Sequence, residues 1–200
     1  MSKKKPEIKY ELVGQLGEKG KEGRTLSVRD IFGCEYAMKT FRRNKPPEKL
    51  MEEITLQRKC SDAGISPKII DYSLDEKYVV MEQMECHLLD SMKDMGGLLS
   101  EGHQKQLIEI FKKLDKIKVF QGDANILNYM LRNGKIYIID FGFSKHIDEK
   151  LMKKLESRVP NYEIMLLGFI LKLKEMNCPT QSYSILKTHL TEQKRTQFNI

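Results

Sequence analysis

Residues 121–142 read QGDANILNYMLRNGKIYIIDFG. Asp123, Asn128 and Asp140 are threaded through a segment otherwise rich in strand-forming apolar residues, and a carboxylate at the end of a buried strand is costly unless it has a use. Asn133-Gly134, between two apolar runs, is the strongest two-residue hairpin signal. With those two residues as the loop, Leu131 faces Ile136, Tyr129 faces Ile138 and Asn128 faces Ile139. Asn128 then lies one residue out of register with Asp140, at the open end of the hairpin, where both side chains can converge on one small volume. An amide oxygen and a carboxylate there make a modest site for Mg²⁺, which takes one or two protein oxygens and fills the rest of its shell with phosphates and water. Asp123, five residues before Asn128, is a third polar group near the same space, suited to orienting a hydroxyl and accepting its proton. The stretch reads as a phosphoryl-transfer centre.

The chain around it is ordered as strands first and mostly helices after. Alternation and turn residues predict strands in YELVGQL (10–16), RTLSVRD (24–30) and EYAMKTF (35–41), an antiparallel meander. Asn44-Lys45-Pro46-Pro47 stops that pattern, and from Glu48 a helix carries Leu50, Met51 and Ile54 at helical spacing until Gly64. KIIDYSL and EKYVVMEQM are two more strands. Helices are predicted around His87–Lys93 and over Glu101–Lys118, the second with Leu107, Ile110, Phe111, Leu114 and Ile117 as one apolar stripe. From Ser144 onward the chain reads as helical. The class is α+β, with the strands in the first half.

Composition narrows the function classes. At 200 residues and 23.4 kDa, with 40% hydrophobic and 32% charged residues, the chain suits one globular domain. No apolar run approaches the roughly 18 residues of a membrane span, and the start MSKKKPEIK has no signal-peptide core, so an intracellular, cytoplasmic protein without a membrane partner is expected. Cys34, Cys60, Cys86 and Cys178 are too far apart for a metal motif and read as reduced thiols. The net charge of +7 comes from 35 basic residues dispersed among 28 acidic ones. Only Lys3–Lys5 form a basic run, so nucleic acid is not indicated.

The quoted stretch resembles the protein kinases. G-D-A-N-I-L-N is similar to their catalytic loop, H-R-D-x-x-x-x-N, and Asp140-Phe141-Gly142 matches their D-F-G. The resemblance implies a two-lobed kinase-like fold over residues 1–200, with a strand-rich N-lobe and hinge at about 10–84 and a shortened helical C-lobe from about 85. It implies ATP as substrate, with Mg²⁺ (or Mn²⁺) held by Asn128 and Asp140, and Asp123 as the catalytic base residue. Ala37-Met38-Lys39 supplies the third-strand lysine that grips the α- and β-phosphates, with Ala37 on the same face for the adenine. Glu53, followed by Ile54 and Leu56 in the family's E-I-x-L pattern, is the partner of Lys39, with Glu52 as the alternative. Gly17, Gly20 and Gly23 stand where the phosphate-covering glycine loop belongs, although their G-x-x-G-x-x-G spacing departs from G-x-G-x-x-G. Met81 would guard the back of the adenine pocket, and backbone groups of Glu82 and Met84 would bond the adenine edge. In EIMLLGFIL, Glu163 and Gly168 match the aspartate and glycine of D-x-W-S-x-G in the central helix of the large lobe.

Several departures sharpen the expectation. Gln121 and Gly122 replace the family's histidine and arginine, which implies activity independent of an activation-segment phosphate. Asn125 stands in place of a lysine that contacts the γ-phosphate. No A-P-E is present, Val159-Pro160-Asn161 occupying similar ground, and only 58 residues follow Gly142, too few for all the helices that dock a peptide. Such economy is similar to RIO kinases, the kinase of the KEOPS tRNA-modifying complex, and compact kinases of large DNA viruses and bacterial effectors. For a viral chain the location would be host cytoplasm or virion. The leading expectation is a serine/threonine protein kinase with an unidentified protein substrate. The alternatives are a nucleotide-stabilised binding module for a regulatory partner, and a small-molecule kinase, since aminoglycoside and choline kinases share the G-D-x-x-x-x-N loop.

Overall fold

The computed structural model describes residues 9–17, 23–155 and 161–200. The chain divides into two compact units, Met1–Ile54 with Lys68–Gln83, and Thr55–Pro67 with Met84–Ile200.

The first unit is a five-stranded antiparallel sheet. Its strands are β1 (Glu11–Leu16), β2 (Gly23–Arg29), β3 (Glu35–Phe41), β4 (Ile69–Ser73) and β5 (Tyr78–Glu82), in the order β1-β2-β3-β5-β4. Helix α1 (Pro47–Asp62) begins on a proline, whose fixed φ suits a first turn, and carries Glu48 near its N-terminus and Lys59 near its C-terminus. Period-2 alternation places Ala37, Lys39 and Phe41 on one face of β3. Ala37 and Phe41 pack in one core with Leu50 and Ile54 of α1 and with Val79 and Met81 of β5. Lys39 therefore sits between two core residues on the face turned toward α1.

The second unit is mainly helical. It contains α2 (Leu88–Asp94), α3 (Glu101–Lys116), α4 (Glu149–Leu155), α5 (Asn161–Glu175) and α6 (Glu192–Gln197). A three-stranded sheet pairs β6 (Cys86–His87) with β8 (Tyr129–Arg132), and β8 with β9 (Lys135–Ile138). Ser100 caps α3 by accepting the backbone N–H of His103. Leu107, Ile110, Phe111 and Leu114 of its stripe are buried, while Ile117 lies past the helix end and is only half-buried. Phe111, Tyr129 and Phe169 form an aromatic centre, with the Tyr129 and Phe169 rings edge-to-face at 4.9 Å.

The α3 stripe also contains an amide. Gln104 is 1% exposed, and its side chain donates to the carbonyls of Leu99 and Gln181 while accepting from the N–H groups of Ile185 and Leu186. One side chain thus satisfies four backbone groups and ties the 3₁₀ turns Thr180–Tyr183 and Leu186–His189 to α3.

Two sequence expectations differ from the structure. The helix over 101–118 ends at Lys116, and Val119–Phe120 (β7) instead pairs with Lys145–His146 (β10). The region after Ser144 is accordingly not all helix. Two-residue strands show no periodicity, so neither could be read from the pattern of apolar residues.

Candidate active site

The hairpin of β8 and β9 has the register read from its loop: Tyr129 opposite Ile138, Leu131 opposite Ile136 and Arg132 opposite Lys135. Asn133 and Gly134 both take positive φ, 51° and 69°, as a type I′ turn requires. At the open end the Ile139 N–H donates to the Asn128 carbonyl at 2.8 Å, which carries the ladder up to Asp140. Asn128 is 7% exposed, and its Nδ2 donates to Asp123 Oδ2 at 2.9 Å. With that nitrogen committed, Oδ1 is the atom of Asn128 suited to a cation. Asp123 Oδ1 accepts the N–H of Asn125, and Asn125 in turn accepts that of Leu127, so the loop is wound on its own polar side chains. Burial and the charge of Asp123 push the Tyr129 phenol well above its ordinary pKa.

Asp140 itself has φ 63°, a left-handed conformation uncommon in a residue with a side chain. Its Oδ1 accepts the N–H of Gly142, and the next residue, Phe141, is 1% exposed in the core. The left-handed residue is thus held by the two residues that follow it, and such conformations recur at functional sites. Asn128 and Asp140 together offer one amide and one carboxylate oxygen set. That donor set fits Mg²⁺, which draws most of its ligands from phosphate and water. Among the described residues no group of three or more His, Cys, Asp or Glu gathers into a self-sufficient metal centre.

The loop before Asn128 is anchored by α5 and by the segment after Asp140. The Gln121 N–H lies 3.5 Å from Met165 Sδ, and Ser144 Oγ donates to the Gln121 carbonyl at 2.9 Å. The Gln121 side chain folds forward to accept the Asp123 N–H at 3.2 Å. Gly122, at φ 75°, passes so close to Phe143 that a Cβ would overlap the Phe143 carbonyl oxygen. A Cβ on Gly168 would meet the Ala124 side chain at 3.4 Å, so α5 presents a small residue where the loop crosses it. Glu163, 2% exposed, accepts the Thr191 N–H, which connects α5 to the C-terminal segment. His87 Nδ1 lies 3.0 Å from the Leu127 carbonyl. Sequence reasoning did not find the parts played by Ser144 and His87, which belong to no motif.

In the first unit, Lys39 Nζ lies 2.8 Å from Glu53 Oε1. Glu53 belongs to the buried stripe of α1 and is 5% exposed, whereas Glu52 points outward and pairs with Lys49. A second lysine unmarked by any motif, Lys45, lies 2.5 Å from Glu53 Oε2. Ala37 pairs with Met81 across β3 and β5, and both are 8% exposed. Glu82 donates its N–H to the Lys68 carbonyl at 3.0 Å. Met84, also 8% exposed, lies in the second unit. Gly17 has φ 70° at the end of β1. Gly23 opens β2 opposite Phe41, against the Thr40 carbonyl, where the paired strands leave no room for a side chain. Gly20 and the Val159-Pro160 dipeptide lie outside the described residues.

An antiparallel sheet followed by a helical unit, with an Asp-x-x-x-x-Asn loop and an Asp-Phe-Gly turn joined by a hairpin, defines an α+β fold of the protein-kinase-like class. No protein-family model matches the chain. Among curated proteins it is similar to the KEOPS complex subunit Bud32 of Pyrococcus abyssi, 27% identical over 105 residues, covering 50% of this chain and 47% of that protein. It is also similar to two probable bifunctional tRNA threonylcarbamoyladenosine biosynthesis proteins. That of Methanobrevibacter smithii is 32% identical over 84 residues, 42% of this chain and 14% of the relative. That of Methanococcus vannielii is 26% identical over 176 residues, 83% of this chain and 31% of the relative. Each match spans less than half the length of the curated relative.

Proposed function

We propose that the chain is an ATP- and Mg²⁺-dependent protein kinase that transfers the γ-phosphate to a serine or threonine hydroxyl. The observation that carries this reading is the open end of the β8–β9 hairpin. There Asp123 and Asn128 share a 2.9 Å hydrogen bond and Asp140 follows directly on the Ile139–Asn128 ladder bond. Asp123 orients the acceptor hydroxyl and takes its proton as the oxygen bonds to the γ-phosphorus. The bond to the β–γ bridging oxygen breaks, and ADP leaves. Asn128 Oδ1 and the Asp140 carboxylate hold Mg²⁺, which when bound neutralises charge on the phosphate oxygens. Lys39, held by Glu53, grips the α- and β-phosphates. Ala37 and Met81 serve the adenine, with backbone groups of Glu82 and Met84 at its edge, and Gly17 and Gly23 border the segment that covers the phosphates. Residues 1–200 act as one kinase domain.

The test is transfer of labelled γ-phosphate from ATP·Mg²⁺ to the chain itself and to a generic acceptor protein, comparing wild type with Asp123→Asn. Loss of a general base lowers transfer by roughly a hundredfold or more. Absence of transfer by a wild type that still binds ATP would sink the reading for the isolated chain.

The names of the relatives favour a second reading, in which the chain consumes ATP as one subunit of a protein assembly serving tRNA modification. Release of phosphate from ATP with no phosphorylated acceptor, increased by a partner protein, distinguishes it from the first.

A further inference from the structure

The contacts around Glu53 lie within the first unit and involve a lysine that the proposed transfer does not use. Glu53 is a carboxylate with 5% exposure, and each of its oxygens meets a different ammonium group: Oε1 meets Lys39 at 2.8 Å and Oε2 meets Lys45 at 2.5 Å. The Lys45 side chain is 13% exposed, so this is not a solvated surface pair. Both ammonium groups stand over the Phe41 ring, Lys39 at 4.9 Å and Lys45 at 4.4 Å from its centroid.

The backbone that carries Lys45 is built into place. Its N–H donates to the Arg42 carbonyl at 3.0 Å, and its own carbonyl accepts from Lys77 Nζ at 2.7 Å. The same Lys77 ammonium also donates to the Arg43 carbonyl, while the Lys77 carbonyl accepts the Phe41 N–H. Pro46 follows immediately and restricts Lys45 to an extended backbone. A long loop lysine is ordinarily free to sample many rotamers, and this one is held by its backbone, by a ring and by a buried carboxylate.

We propose that Lys45 is a positioning residue for nucleotide binding: it holds the second oxygen of Glu53, so that Lys39 can turn donors to phosphate without leaving that buried carboxylate uncompensated. The inference rests on the reading of Lys39 as the phosphate-gripping lysine. A buried carboxylate that loses part of its compensation is penalised steeply. With Lys39 as the only lysine on Glu53, its ammonium donors would have to serve both carboxylate oxygens as well as a phosphate. The second lysine removes that competition and fixes α1 against β3 before any nucleotide arrives.

The experiment compares binding of ATP·Mg²⁺ and of adenosine to wild type, Lys45→Met and Lys45→Arg, alongside thermal melts. Adenosine carries no phosphate and is blind to Lys39. Lys45→Met is expected to weaken ATP binding roughly ten- to a hundredfold, the usual cost of removing a group that orients a ligand-binding side chain. Adenosine affinity stays at the wild-type value, and Lys45→Arg recovers most of the loss. If Lys45→Met does not fold, Lys77→Met carries the same comparison with a smaller but equally selective loss. Equal losses for ATP and adenosine would make Lys45 merely structural, and unchanged ATP affinity would give it no role; either overturns the proposal. A wild type that binds adenosine but shows no added affinity for ATP overturns the phosphate reading of Lys39, and the role of Lys45 with it.

Discussion

Replacing Gly122 by alanine tests how the Asp123 loop is held. Gly122 has φ 75°, where an L side chain costs roughly 1–2 kcal/mol. The added Cβ would also overlap the carbonyl oxygen of Phe143, a backbone atom that cannot rotate away as a side-chain tip would. Overfilling of this kind costs roughly 1–3 kcal/mol. The two terms together give about 2–5 kcal/mol. In a chain of 200 residues each kcal/mol lowers Tm by roughly 2–4 °C, so a fall of about 4 °C or more is expected. Gly134→Ala is the internal control, because Gly134 has a similar φ of 69° with nothing within 4 Å of an added Cβ. It incurs the conformational cost alone, so the difference between the two variants isolates the collision. Thermal and urea unfolding followed by circular dichroism give both values. A Gly122→Ala protein no less stable than Gly134→Ala would refute the close-approach argument. Transfer activity should fall in Gly122→Ala and not in Gly134→Ala, because only the first displaces the backbone between Gln121 and Asp123.

Other expectations follow from single residues. Gln104→Met keeps the volume but abandons four backbone groups in a site 1% exposed, and at roughly 1–3 kcal/mol per orphaned group it should cost at least about 4 kcal/mol in urea unfolding; a loss under about 1 kcal/mol would contradict the clamp that Gln104 forms. Burial pushes the Cys60 thiol up to about 12, so at pH 8 an alkylating reagent should modify exposed Cys34 and leave Cys60 untouched until urea unfolds the chain, as mass spectrometry of the digested protein would show. Burial lowers the pKa of His103 below its ordinary value, so the unfolded chain takes up a proton first as pH falls through about 6.5. The stability of the neutral form is therefore full above that pH and declines below it, and His103→Gln should flatten the dependence of Tm on pH between 7.5 and about 5.5.

What could be read in advance was local in sequence. Asn133-Gly134 sets its own loop conformation, and the period of 2 then determines every pairing up to Asn128 without knowledge of the rest of the molecule. The choice between Glu52 and Glu53 needed one more fact, namely which side of α1 is buried; Leu50 and Ile54 put Glu53 in the buried stripe and leave Glu52 in solvent. Lys45 had no such signal. It sits in a loop, where neither helical nor strand periodicity applies, and its role depends on a lysine 32 residues later holding its carbonyl. Gln104 was hidden for a different reason, since an amide inside an apolar stripe reads as an interruption until its partners at Leu99, Gln181, Ile185 and Leu186 are known. Gly23 reads with the glycine loop by its place in the chain although the spacing departs from the family's, and the strand pairing gives it a steric reason of its own.

The Gln121-Gly122 pair links the sequence departure to the way the loop is supported. With histidine and arginine at these positions, the resemblance would predict a loop whose arginine receives an activating phosphate. Here the second position cannot carry a side chain, because its Cβ would occupy the space of the Phe143 carbonyl. The first position supplies what that loop then needs: Gln121 gives its carbonyl to Ser144, its N–H to Met165 and its side-chain oxygen to the N–H of Asp123. Restoring arginine at 122 alone would therefore disrupt the loop rather than add a regulatory contact. The two residues act together on the loop: position 122 passes against the Phe143 carbonyl, and the Gln121 side chain holds the N–H of Asp123. A change at Ser144 or Met165 should then alter Asp123 through Gln121. Ser144→Ala, which removes one hydrogen bond without adding bulk, is the mildest way to see it, as a loss in transfer rate larger than its loss in Tm implies.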